Sequence, residues 1–116
     1  WLGVECVYAP FHQTLDSFLS ERGDMFDFCL LARTDVAKRG LPAVKRFCPS
    51  AKTVFYTVDL HFLREKREAE LQNDPEKLKK AKKTEHTELD LMDKVDNTVV
   101  LSEVGISRSI SQYRWY

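Results

Sequence analysis

The chain lacks most of the features that announce a function. Only four glycines occur in 116 residues, and none builds the G-x-G-x-x-G turn that cradles a dinucleotide. Lysine plus arginine number 18 and aspartate plus glutamate also 18, so no net charge draws the whole molecule to nucleic acid or to a membrane. The longest apolar runs, such as Cys29 to Ala32, fall far below the roughly 18 residues of a membrane-spanning helix, and no charged-then-apolar leader opens the chain. There is no G-x-S-x-G nucleophile elbow. His12, His61 and His86 are far apart, and none pairs with cysteine or histidine at ligand spacing, so neither a metal nor a cofactor is expected. The three cysteines, Cys6, Cys29 and Cys48, are odd in number and widely spaced in apolar surroundings. That usage fits reduced core thiols of a cytoplasmic protein rather than a disulfide framework.

What is present is an ordinary globular composition, 43% hydrophobic and 31% charged, sufficient for one domain with one core. Four strand-like runs alternate with helical patterns. Gly3 to Ala9 carries Val4, Cys6 and Tyr8 on one face and stops at Pro10; Phe26 to Arg33 is nearly continuous in apolar character, as a parallel strand covered on both faces would be. Lys52 to Asp59 is rich in β-branched and aromatic residues, and Asn97 to Ser102 is the fourth run. Helices are expected over Gln13 to Arg22, Asp35 to Phe47, Leu60 to Gln72 and Pro75 to Val95, with Asp74 as N-cap and Pro75 at the first helical position. The last two form either two helices or one kinked helix. The resulting order βαβαβααβ predicts an α/β fold, a three-layer, Rossmann-like parallel sheet of about four strands with right-handed crossovers. The domain spans residues 1–104, and residues 105–116 form a tail with Ile106, Ile110 and Tyr113 at the offsets of a short helix. The start at Trp1 reads as a piece trimmed from something larger.

In open parallel sheets, ligands sit beyond the carboxyl ends of the strands, where helix N-termini converge. That rule selects Arg33 with Thr34 and Asp35, then Asp59, His61 and Arg64, then Ser102 with Glu103. An arginine, a histidine and carboxylates on one rim suit a polar, hydroxyl-rich or phosphorylated ligand. Asp59 has an equally good structural role as N-cap of the helix that follows it, and His61 has one as a half-buried ring bonded to a backbone carbonyl. His61 and Arg64, three apart on a helix, share a face. Lys77, Lys79, Lys80, Lys82 and Lys83 make a dense basic patch, read either as a solvated helix face or as a membrane or partner surface that touches acidic lipid. Pro75 to Val95 holds no aromatic residue to interleave with it, so nucleic acid is not an expected partner.

The stretch DMFDFCLLART, the stretch LPAVKRFCPSAK and above all YTVDLHFLREKRE, Tyr56 to Glu68, resemble bacterial glycosyltransferases of the GT-B type. The matching residues are Phe26, Asp27, Leu30 and Arg33, then Leu41, Pro42, Val44 and Pro49, then Tyr56, Thr57, Asp59, Leu60, His61, Arg64, Glu65 and Arg67. The resemblance covers roughly Leu2 to Ser102, and DLHFLRE is its most specific part. It implies part of the N-terminal, acceptor-side Rossmann-like domain of an enzyme that moves a sugar from a nucleotide-sugar donor to a glycan acceptor, as in surface polysaccharide synthesis. Arg33, Asp59, His61, Arg64 and Ser102 would then bind substrate, with no catalytic residue assigned. The first strands and the donor-binding second domain of that family have no counterpart here, so the chain alone is expected to be inactive. Glu68 and Glu76 stand in an E-x7-E spacing, but Pro75 interrupts the charged segment that holds them, so the spacing is coincidental. The resemblance implies a cytoplasmic protein, at most peripheral to the inner membrane. The alternative is a small α/β interaction module that forms a homodimer through an exposed sheet edge, with Trp1, Trp115 and Tyr116 at the interface.

Overall fold

The computed structural model describes residues 2–101. Helix α1 (Leu15–Arg22) is followed by a 3₁₀ turn (Gly23–Met25), strand β1 (Phe28–Ala32), helix α2 (Thr34–Phe47) and strand β2 (Lys52–Tyr56). Then come α3 (His61–Gln72), α4 (Pro75–Lys94) and β3 (Asn97–Val99). The three strands are parallel in the order β1-β2-β3, with Leu31 beside Phe55 and Phe55 beside Thr98. The molecule is therefore α/β with a parallel sheet, consistent with a Rossmann-like layout.

Local chemistry sets each boundary. Thr14 caps α1 by accepting the Ser17 N–H at 3.1 Å. Gly23 ends that helix where a side chain would run into the Phe47 carbonyl, so only glycine lets the turn pass this close to the end of α2. Helix α2 buries Thr34, Ala37, Leu41 and Val44, the spacing of one helical face. Between α3 and α4 the chain reverses in two residues. Asn73 takes the left-handed conformation (φ 48°), Asp74 donates its N–H back to Ala69, and the Asp74 carboxylate accepts from the Glu76 and Lys77 N–H groups at 3.0 and 3.2 Å. Asp74 and Pro75 thus perform the roles read from the sequence, and the charged stretch is two helices. They pack closely because Ala69 and Ala81, both buried, face each other's helices, and because Lys77 reaches Glu68 at 2.8 Å while Thr84 reaches Glu65 at 2.6 Å.

Three expectations need correction. The sheet has three strands among the described residues, not four. Gly3 to Ala9 alternates as a strand should, but alternation without a neighbouring strand to bond leaves it irregular. It is tied to α1 instead, by the two-pronged Glu5–Arg22 pair at 2.7 and 2.9 Å. Second, Cys6, expected in the core, is exposed with that segment, whereas Cys48 is buried and Cys29 is intermediate. Third, among the described residues the sheet is covered on one face, giving two layers rather than three. Strands that follow one another across a parallel sheet by right-handed crossovers place their helices on the same side, and α2 does pack on both α1 and α4. The covered face carries Leu31, Thr53 and Phe55; the other carries Phe28 and Leu30, 70% and 65% exposed. Ser102, Glu103 and the tail helix over 105–116 lie outside the described residues, as do Trp1, Trp115 and Tyr116.

Candidate functional site at the strand carboxyl ends

Two turns at the carboxyl end of the sheet depart from ordinary backbone geometry. Arg33, between β1 and α2, has φ 73° and ψ 147°, a region that glycine occupies freely and side-chain-bearing residues rarely enter. It is held there by its N–H, which donates to the Tyr56 carbonyl at 2.9 Å, and by its carbonyl, which accepts from Ala37 at 3.0 Å. Val58, just past β2, has φ 64°, and the Asp59 N–H closes across it onto the Thr57 carbonyl at 2.8 Å. That i to i+2 closure around a positive φ is a γ-turn in its rare, strained form, here at a β-branched residue. The turn points Asp59 along the rim.

Asp59 does not cap α3, although the sequence left that role open. Its Oδ1 lies 3.0 Å from His61 Nε2 and its Oδ2 accepts from Arg64 at 2.9 Å, so one carboxylate holds both side chains. The capping is done from a distance by Glu88 of α4, which is fully buried. Glu88 Oε1 accepts from the His61 N–H at 3.2 Å and the Thr34 hydroxyl at 2.8 Å, and Oε2 accepts from the Phe62 N–H at 3.3 Å. A carboxylate satisfies two orphan donors at the start of α3 and also complements the positive end of the helix. His61 Nδ1 lies 4.0 Å from the same Oε1. Both ring nitrogens of His61 therefore face carboxylates, and the ring connects the exposed Asp59 to the buried Glu88.

The structure brings Asp59, His61 and Arg64 into direct contact and joins them through Glu88 to Thr34. Arg33 stands one residue before Thr34 with its side chain exposed and no ion-pair partner among the described residues. Ser102 lies outside the described residues. Glu88 had no role in the sequence reading. The signal was there: Glu88 stands seven residues after Ala81 and four before Met92, inside the buried stripe. The lysine run is split. Lys77 binds Glu68 and Gln72, and Lys80 lies 3.5 Å from Glu65, so both are engaged by α3 or its end. Lys79, Lys82 and Lys83 have no ion-pair partner among the described residues.

The cluster is an open rim rather than a cavity. Two larger grooves, about 570 and 540 Å³, lie elsewhere, between α2 and α4 and beside β1. The rim presents one half-exposed carboxylate flanked by the Arg64 guanidinium and the His61 imidazole, an arrangement able to accept from a hydroxyl and to place positive charge beside an anion. The thiols offer no nucleophile there: burial, with Cys48 close by, pushes Cys29 up to about 11. Among the described residues no group of three or more potential ligands is placed to hold a metal, and no helix is long and apolar enough to cross a membrane. Comparison of the chain with protein-family models, with curated proteins and with solved structures returns no match.

Proposed function

We propose that the chain is the acceptor-side part of a nucleotide-sugar-dependent glycosyltransferase of the GT-B type, inactive in transfer by itself. The observation that carries this reading is the Asp59–His61–Arg64 cluster, built from the DLHFLRE string and standing at the carboxyl end of a parallel sheet. In such a transfer an acceptor hydroxyl attacks the anomeric carbon while the bond to the diphosphate breaks, and the electron pair leaves with the diphosphate. The outward lone pairs of Asp59 accept from the acceptor hydroxyl and orient it. Arg33 and Arg64 supply positive charge toward the leaving group. His61, enclosed between two carboxylates, is a positioning residue that holds Asp59 in place. All of this is alignment and electrostatics, which a donor-binding half must complete.

The test is an NMR titration of the chain with nucleoside diphosphates, nucleotide sugars and simple glycans. Weak, saturable perturbations confined to Arg33, Asp59, His61 and Arg64, and lost in Arg64→Ala, are the expected result. Perturbations centred elsewhere, or none at millimolar ligand, would overturn the assignment. A second reading, an interaction module that pairs through its sheet edge, is favoured by one observation. Among the described residues β1 is an edge strand, and its Phe28 and Leu30 are exposed beside an apolar groove of about 540 Å³. Its signature is a dimeric mass in solution that Leu30→Lys converts to a monomer.

A further inference from the structure

The free edge of β1 is complementary to itself. In the parallel ladder the Lys52 N–H donates to the Asp27 carbonyl at 2.8 Å and the Arg33 N–H to the Tyr56 carbonyl at 2.9 Å. In that register the backbone groups of Cys29 and Leu31 face β2. The N–H and C=O groups of Phe28, Leu30 and Ala32 therefore point the other way, out of the sheet, and among the described residues no turn or cap takes them up. Sheet edges are commonly guarded by lysine, proline or a bulge. Phe28–Ala32 carries none of these, and Phe28 and Leu30 hold their side chains largely in solvent. Leu15 and Val36, also exposed, extend the apolar surface along the groove beside the strand. A row of unpaired backbone donors and acceptors beside apolar side chains fits another strand rather than a small molecule.

The residues along the edge specify which strand. A second β1 laid antiparallel, with a two-fold axis at Leu30, sets Leu30 against its own copy, Phe28 against Ala32 and Asp27 against Arg33. Every outward N–H and C=O of the strand then has a partner in the second copy. On the uncovered face the bulky Phe28 ring meets the small Ala32 methyl, and the two Leu30 side chains meet each other. Just outside the strand, Asp27 and Arg33 are both exposed, and neither has an ion-pair partner among the described residues. Because one end of β1 is acidic and the other basic, antiparallel pairing brings unlike charges together at both ends of the junction. Parallel pairing would set like charges side by side. A slip of two residues in either direction would part both ion pairs and leave outward backbone groups unpaired.

We propose that β1 pairs with β1 of a second copy of this chain, antiparallel about Leu30, with an Asp27–Arg33 ion pair at each end of the junction. The inference rests on the edge-pairing reading above and adds its partner and its register. The two sheets become one, their rims face opposite directions, and Arg33 serves the junction while Arg64 remains at the rim. The experiment is analytical ultracentrifugation of the chain and of Asp27→Arg and Arg33→Asp, each alone and the two mixed. Either variant alone sets like charges at both ends of the junction, and its dimerisation weakens about tenfold. The mixture restores both unlike pairs, and association returns to within about twofold of the parent. Leu30→Lys abolishes it. Circular dichroism checks that each variant is folded; should Arg33→Asp fail that check, Asp27→Arg is read against Asp27→Glu, which keeps the parent's association. A monomer at every concentration overturns the edge-pairing reading and this proposal together. A dimer that Leu30→Lys breaks but the charge variants leave unchanged, or fail to restore when mixed, keeps the edge and overturns the register. A dimer indifferent to Leu30→Lys overturns the proposal by placing the contact elsewhere.

Discussion

The two ends of the sheet solve different problems. At the amino end, Asp96 ties β2 to the start of β3. Its Oδ2 accepts from the Thr53 N–H at 2.8 Å and the Thr53 hydroxyl at 3.0 Å, and its own N–H returns to the Thr53 carbonyl at 3.1 Å. None of the turns that lead into the strands there holds a residue at positive φ. At the carboxyl end, two non-glycine residues sit at positive φ and a buried carboxylate is shared by three donors. One end fixes register at little conformational cost. The other holds strained backbone so that Asp59 faces outward, the pattern expected where side chains are aimed at a ligand.

Glu88 gives the largest test of that contrast. In Glu88→Ala the His61 and Phe62 N–H groups and the Thr34 hydroxyl lose their acceptor in the interior, and the expected loss is about 3 kcal/mol, read as a lower urea midpoint. Hydrogen-exchange protection should fall first at His61 and Phe62. Glu88→Gln keeps one acceptor oxygen and should cost less. If the alanine variant is as stable as the parent, the carboxyl end is not held by Glu88.

Asp96→Ala at the opposite end should cost about 1–2 kcal/mol, because the Thr53 N–H loses its acceptor while Asp96 itself is partly exposed. Its pH dependence is the sharper signature. The two Thr53 hydrogen bonds, with help from Lys52 and Lys45, hold the Asp96 carboxyl below its ordinary 3.8. Above that value both the folded and unfolded states are ionised and the contribution is fully present. As pH falls below it the unfolded chain binds the proton first, so stability is lost until the folded carboxyl is protonated too. The acid limb of the parent's pH–stability curve should therefore be steeper than that of Asp96→Ala; parallel curves would deny the tie.

Much of the fold was legible because it rests on local signals. The helix start at Asp74 with Pro75, the extent of α2 and the β-branched run of β2 are all written within a few residues of where they act, whereas the cap at Thr14 was passed over by a helix drawn from Gln13. The opening segment was misread because period-two alternation fixes which side chains share a face but not whether a partner strand exists. Its ion pair, Glu5 with Arg22, spans 17 residues and has no pattern. At the rim, strand ends were found because a crossover must end there. Glu88 was not, because a buried carboxylate in a charged helix looks like one more surface acid until α3's free N–H groups are seen beside it. The γ-turn at Val58 had no signal at all, since valine is the residue least expected at positive φ.

That turn supplies a prediction of opposite sign. Val58→Gly removes the steric conflict at φ 64°, and despite glycine's greater freedom when unfolded it should raise stability by about 1 kcal/mol. It should also loosen the aim of Asp59, so ligand perturbations at Arg64 weaken as the melting temperature rises. A protein made both less stable and unchanged in binding by this substitution would show that Val58 is not strained for the sake of the rim.

Arg64→Ala carries the smallest expected change in stability and completes the comparison. The guanidinium is largely exposed and its pair with Asp59 is solvated on one side, so its removal should shift stability by no more than about 0.5 kcal/mol. If the carboxyl end is organised for binding, this nearly neutral change should nonetheless abolish the response to nucleoside diphosphates, because Arg64 contributes charge where the anion would sit. Stability and binding would then separate: Glu88 mostly supports the fold, Arg64 mostly meets the ligand, and Asp59 joins the two. A variant that loses stability as Glu88→Ala does, with binding untouched, would place Arg64 with the structural residues and leave the rim as a helix cap and nothing more.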